Sequence, residues 1–244
     1  MKLSLGGALA DAATLWRTDR DLLLRIAGLF LFVPVLGFLF LASGIQLPEG
    51  GDREQVRGAL NGFFAANLAW MALIIVLSEF GSLAILNLYL RRGETVGALL
   101  SATLLRLVPY FLIGVMVNAL VQLGAYFFVV PAIYVFGRTC LMTIAYAAEP
   151  EQGAWSAIAR GFALSEKNGW KIGLFMAGLM LFIGAALLSI ALAIGLLAPI
   201  TGSSQLAGAL LLAPLALAIT AAWVFFALVR IALYRRLGGS INGM

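Results

Sequence analysis

Apolar residues in this chain come in long unbroken runs, and polar residues gather between the runs. The runs lie at about 22–42, 65–90, 107–129, 133–148, 172–197 and 206–234. A helix needs roughly 20 apolar residues to cross a hydrocarbon layer of about 30 Å, so this pattern predicts six membrane spans. In lipid only helices and closed barrels satisfy their backbone groups, and continuous rather than alternating apolarity selects helices. Pro34 predicts a kink in the first span, and Pro131-Ala132 a tight turn between the third and fourth. The fourth span is short, and Arg138 interrupts it.

The segments between the runs have patterns of their own. Residues 3–16 place Leu5, Leu9, Ala12 and Trp16 at helical spacing with Asp11 on another side, which predicts a helix lying in the membrane surface. A charged knot from Arg17 to Arg25 follows. Its acidic residues, and the lack of a small-residue cleavage site, favour an uncleaved span over a signal peptide. Residues 43–64 read as a polar loop with Pro48, Gly50 and Gly51. Residues 95–106 read as a second surface helix after a Gly93-Glu94 break, and Pro199, Gly202, Ser203 and Ser204 as a short loop.

The long polar break at 149–171 predicts a third surface helix. Pro150 suits a first helical turn, and Glu149 and Glu151 favour the positive end of the helix dipole. Trp155, Ile158, Ala159 and Phe162 share one face, with Arg160 elsewhere. Asn168-Gly169 supplies a stop, and Trp170 and Lys171 form a headgroup-level anchor. Gly7-Ala8-Leu9, Gly97-Ala98-Leu99 and Gly153-Ala154-Trp155 each open one of these surface helices ahead of a hairpin. The expectation is a threefold repeat over about 3–90, 93–148 and 149–236. The fold class is therefore an all-α polytopic membrane protein, one integral domain over 1–244, with six transmembrane helices and three cytoplasmic in-plane amphipathic helices.

Composition sharpens this picture. Of 244 residues 63% are hydrophobic and 11% charged, and the mean hydropathy is +1.04. A soluble domain carries about 25% charged residues. The net charge of +5 does not indicate a nucleic-acid partner, because the basic residues sit at the ends of apolar runs. Thirteen of the sixteen fall on the side that holds both termini, and only Arg53 and Arg57 on the other, which predicts cytoplasmic termini. There is no histidine and a single cysteine, Cys140, so neither a disulfide framework nor a metal or other cofactor site is expected.

Within 130–176, Val130-Pro131-Ala132-Ile133-Tyr134 precedes a span with Arg138, then Glu151, Ala157 and Ser165 ahead of Asn168-Gly169-Trp170-Lys171. This resembles the membrane domain associated with glycerophosphoryl diester phosphodiesterases and its stand-alone bacterial inner-membrane relatives of unknown function. Ala132 replaces a glycine of that pattern, Phe162 falls near its tryptophan, and Asn-Gly is inverted. The resemblance implies a six-span inner-membrane protein. It brings no hydrolase activity, because no segment here could form the soluble catalytic domain.

Charges inside spans are costly, which makes Glu79 and Arg138 candidates for function. Counted from the span ends, Glu79, Asn118 and Arg138 lie roughly 15–17 Å deep and form one expected midplane layer, a buried clamp or a binding site. Ser82, Gln122, Tyr126 and Tyr134 are candidate lining for a pathway beside it. Gly173 with Ala177, and Gly28, read as close-packing positions. Three functions stay open: a non-enzymatic protein handling lipid or supporting the envelope, a small-solute or lipid transporter using the midplane layer, and a scaffold docking a protein on its cytoplasmic helices. Membrane lipids are the expected partners, and the lone Cys140 and single buried carboxylate are poor equipment for catalysis.

Overall fold

The structure is a computed structural model that describes residues 4–45, 48, 50, 52–90, 95–197 and 205–241. Lys2, Gly51, Arg91-Arg92, Gly93-Glu94 and the loop at Pro199, Gly202, Ser203 and Ser204 lie outside the described residues. Among those described, six helical stretches are long and apolar enough to cross a membrane, as the runs predict.

Helix α1 (Leu5–Thr18) starts where the Ser4 hydroxyl accepts from the Gly7 N–H, and it buries Ala8, Ala12 and Leu15. Span one is α2 (Arg20–Ala27), a π-helical turn (Gly28–Phe32) and α3 (Val33–Ser43). Pro34 has no N–H, and its ring would strike the carbonyl four residues back. Widening the preceding turn, so that Val33 N–H reaches the Gly28 carbonyl, absorbs the mismatch. The widened turn brings Phe30 against Gly81 of α5 (Leu68–Leu90), where a Cβ would stand 2.7 Å from the Phe30 Cβ.

Two elements differ from the expectation. Most of the 43–64 loop is helical: α4 (Arg53–Ala66) begins at Asp52, whose carboxylate accepts from the Glu54 and Gln55 N–H groups. The second surface segment is not separate. It continues into span three as α6 (Val96–Phe127), capped by Thr95 and carrying Pro109 inside. A single proline removes one backbone bond, and a long helix survives that loss.

The hairpin turn is not at Pro131-Ala132 but at the extended residue Phe128 (φ −173°, ψ 164°). Pro131 sits in the first turn of α7 (Val129–Thr139), where its missing N–H costs nothing. Span four then breaks at Cys140-Leu141 and resumes as α8 (Met142–Ala148). A 3₁₀ turn (Pro150–Gln152) and Gly153, at φ +80°, reverse the chain into α9 (Gly153–Ser165). Gly161 of α9 lies against Met142, and the Ser165 hydroxyl donates to the Arg138 carbonyl at 2.8 Å, so α9 runs lengthwise back along span four. Spans five and six are α10 (Gly169–Leu197) and α11 (Gln205–Ile241).

The spans close a ring: α3 packs on α5, α5 on α6, α6 on α7, α7 on α10, α10 on α11, and α11 on α3. Helix α8 fills one end of the ring, buried among α5, α6, α9 and α11. The three Gly-Ala openings of the surface helices occupy unlike places. Gly7 lies against the Arg236 guanidinium, Gly97 has open space beside it, and Gly153 makes a left-handed turn.

The chain ends meet at the α8 end. Arg236 Nε donates to the Asp11 carboxylate at 2.6 Å, and the Tyr89 hydroxyl donates to the Leu15 carbonyl at 2.9 Å. The hydrogen bond from Arg236 lowers the Asp11 pKa below its ordinary 3.8. A depressed carboxylate contributes stability that is complete above the unfolded value and lost as pH falls through the folded one. The link between α1 and α11 is therefore expected intact at pH 7, to weaken only below 3.8 and to release as pH falls through the lower folded value. Spin labels on α1 and the end of α11 would read the separation, which in Asp11→Asn should already be wide at pH 7 and no longer change with pH. An unchanged separation in that variant would assign the docking of α1 to Tyr89 and apolar contacts alone.

Candidate functional site

Inside the ring lies a cavity of about 480 Å³. Its walls are mainly apolar, with Leu86, Val117, Val121, Ile133, Phe136, Ala177, Met180 and Phe226 among them. Five polar side chains interrupt the apolar surface: Glu79 and Ser82 from α5, Asn118 from α6, Thr143 from α8 and Arg230 from α11. Tyr110, Gly114, Val117, Asn118 and Val121 all reach it from α6, a spacing that holds one helix face.

Arg230 is committed to the floor. Its Nε donates to the Cys140 carbonyl at 3.0 Å, and its Nη2 to the same carbonyl and to the Thr143 hydroxyl. The break in span four frees that carbonyl, and the guanidinium takes it up. Arg230 Nη1 makes no hydrogen bond with a described residue, and the Glu79 carboxylate makes neither a hydrogen bond nor an ion pair with one. The cavity thus holds an acid and a cation, each with bonding capacity to spare.

Of the expected layer, Glu79 and Asn118 line the cavity, and Ser82, expected beside the layer, lines it too, its hydroxyl donating to the Ser78 carbonyl at 2.9 Å. Arg138 does not join them, and the cation of the site is Arg230. Depth counting along a span is blind to helix face, and Arg138 points outward from α7 against α9 and α10. Arg230 reads in the sequence as one more basic residue at the end of span six. The available signal was its position five residues before Arg235, more than a full turn further into the apolar run.

Gln122 and Tyr126 leave the site as well. Positions i, i+4 and i+8 drift about 80° around a helix, and both side chains are exposed, Tyr126 at 86%. Tyr134 faces away from the cavity, with its ring 5.0 Å from that of Trp170.

Of the residues that carry the family resemblance, Ala132 and Ile133 line the cavity, and the others gather outside it. The Arg138 guanidinium lies 4.4 Å from the Phe162 ring centre, and its carbonyl accepts from Ser165. Gly137 leaves no room for a Cβ against the backbone of Gly169 and Gly173, and Gly173 none against the Ile133 carbonyl. Close packing at Gly173 matches the expectation. Gly28 has nothing within 4 Å and supports no contact.

Helix α9 faces α8 with Ala157, Gly161, Leu164 and Ser165, not with its aromatic side, so Trp155 is 81% exposed. Small residues win this face because they let the two backbones approach. Arg160 pairs with Glu149 at 2.9 Å, while Trp170 and Lys171 remain exposed. Neither Asn168 nor Gly169 adopts the left-handed conformation, and α10 starts directly at Gly169.

Helix α10 extends well past the outer end of α7. Helix α7 stands between α6 and α10. From Gly137, where it meets α10, to its outer end at Val129 it rises only ~12 Å, whereas α10 runs on for ~36 Å beyond Gly173. The outer part of α10 therefore has no α7 beside it, and Leu181, Phe182, Leu188, Leu192 and Leu196 are exposed. Val129, at the outer end of α7, and Met180, at about the same level on α10, line the cavity.

Among the described residues no cluster could hold a metal ion, and Cys140 is buried. No family model matches the chain, and no curated protein or solved structure is significantly similar to it.

Proposed function

We propose that this chain is a lipid-handling protein of a bacterial inner membrane, with both termini in the cytoplasm, that draws an amphipathic lipid sideways from the bilayer into its cavity. The observation that carries this reading is an apolar cavity with Glu79 and Arg230 in its lining, reaching at Val129 and Met180 the level where α7 ends and α10 runs on uncovered. Acyl chains match the apolar wall and the exposed outer α10, and a polar headgroup matches the two charges. At about 480 Å³ the cavity falls in the range of roughly 300–1,000 Å³ usual for small-molecule sites. The distribution of basic residues supports the orientation. The resemblance of residues 130–176 to the phosphodiesterase-associated membrane domain agrees with this setting and names no ligand.

The test is native mass spectrometry of protein purified in mild detergent, with lipid expected to remain bound. Gly114→Leu is the matching variant. Gly114 lines the cavity, and a Cβ there meets nothing within 4 Å, so the added side chain fills ligand space without disturbing the helix. Bound lipid should fall about tenfold or more at an unchanged unfolding temperature, since an overfilled site must repack to admit the ligand. Equal lipid in both proteins would sink the reading.

A further inference from the structure

We infer that the cavity selects a headgroup carrying both a phosphate and an ammonium group, as an ethanolamine phospholipid does. This rests on the lipid-binding reading above and adds the headgroup class to it.

Glu79 and Arg230 line one cavity and yet form no ion pair. The cause lies in Arg230, whose Nε and Nη2 are held by the Cys140 carbonyl and the Thr143 hydroxyl. The guanidinium is pinned to the floor and cannot swing to the carboxylate. Two opposite charges withdrawn from water without a direct ion pair carry a desolvation cost that their attraction at a distance repays only in part. A group that is anionic at one end and cationic at the other satisfies both in one step: phosphate on Arg230 Nη1, ammonium on Glu79. A purely anionic headgroup would satisfy Arg230 and leave Glu79 uncompensated in a low-dielectric wall.

The walls suit an ammonium group: Tyr110, Phe136 and Trp223 line the cavity, and aromatic faces attract cations, while Phe226 already faces Arg230. Size sets the division of the ligand. Two acyl chains, each about 15 Å long to match a leaflet, exceed a cavity of 480 Å³ and would lie along the uncovered α10. The headgroup alone fits inside.

The experiment uses the full-length protein, delipidated and then exposed to mixed vesicles. The vesicles contain equal parts of an ethanolamine phospholipid and a glycerol-headgroup phospholipid, and bound lipid is read by native mass spectrometry. Wild type is expected to prefer the ethanolamine lipid about tenfold, the scale of one charge-assisted hydrogen bond. Glu79→Gln should bind lipid without that preference, and Glu79→Asp, which keeps the charge, should retain it.

Equal occupancy in wild type, or a preference that survives Glu79→Gln, overturns the headgroup assignment and leaves the lipid-binding reading standing. No bound lipid in any protein overturns both. Soluble phosphoethanolamine at the same concentration should not displace the lipid. Displacement would assign the site to a soluble zwitterion and overturn the lipid source.

Discussion

Replacing Arg230 with alanine is expected to lower stability by about 3 kcal/mol, a drop in unfolding temperature of roughly 6–12 °C in detergent. The guanidinium takes the Cys140 carbonyl and the Thr143 hydroxyl at the point where span four is broken. Without it, the carbonyl released by the break loses the only side chain that bonds it among the described residues and has no helical partner. An orphaned acceptor of this kind costs about 1–3 kcal/mol, and charge-assisted bonds lie toward the upper end. Arg230→Lys should recover roughly half of the loss, because a compact ammonium cannot reach both acceptors with the fork of a guanidinium. Thermal unfolding of the three proteins in one detergent would decide it. A neutral alanine variant would mean that the break is held by packing of α8 alone.

Gly137→Ala should do comparable damage with a single methyl group. A Cβ at this position meets the Gly169 carbonyl oxygen and the Gly173 N and Cα, all backbone atoms that no side-chain rotation can move. The helices must separate, and overpacking of this type costs about 1–3 kcal/mol, here toward the upper limit because the whole α7–α10 contact shifts. Gly184→Ala on α10 is the control, since nothing lies within 4 Å of its Cβ position. There the better helix propensity of alanine should be neutral or stabilising by up to ~1 kcal/mol. Similar changes in the two variants would show that close approach at Gly137 does not set the outcome.

Much of the fold was legible because lipid is an undemanding reader: an apolar run of sufficient length becomes a spanning helix. What failed was finer. The cap at Asp52 and the spacing of Val56, Leu60, Phe63 and Phe64 describe a helix, but glycines and charges in the same stretch read as a loop. No residue between Arg106 and Val108 can stop a helix, so the surface segment and span three had no physical reason to part.

The site was half legible for a similar reason. An intramembrane carboxylate is conspicuous by its cost, and Glu79 stood out. Its basic companion did not, because Arg230 lies close enough to Arg235 and Arg236 to pass for an interfacial anchor. Helix facing depends on which neighbours pack where, and a depth count along one span carries none of that.

Span four has the lowest mean hydropathy of the six, 1.4 against 2.0 to 2.6 for the others. It is also the span whose inner half is completed by a residue 90 positions later in the chain. As the chain emerges, span four enters the membrane before span six, weakly and in two pieces. The groups that hold those pieces together arrive only with the final helix. Assembly is therefore closed from the end backwards: the last segment made is the one that finishes the centre, and the cavity exists only once it is in place.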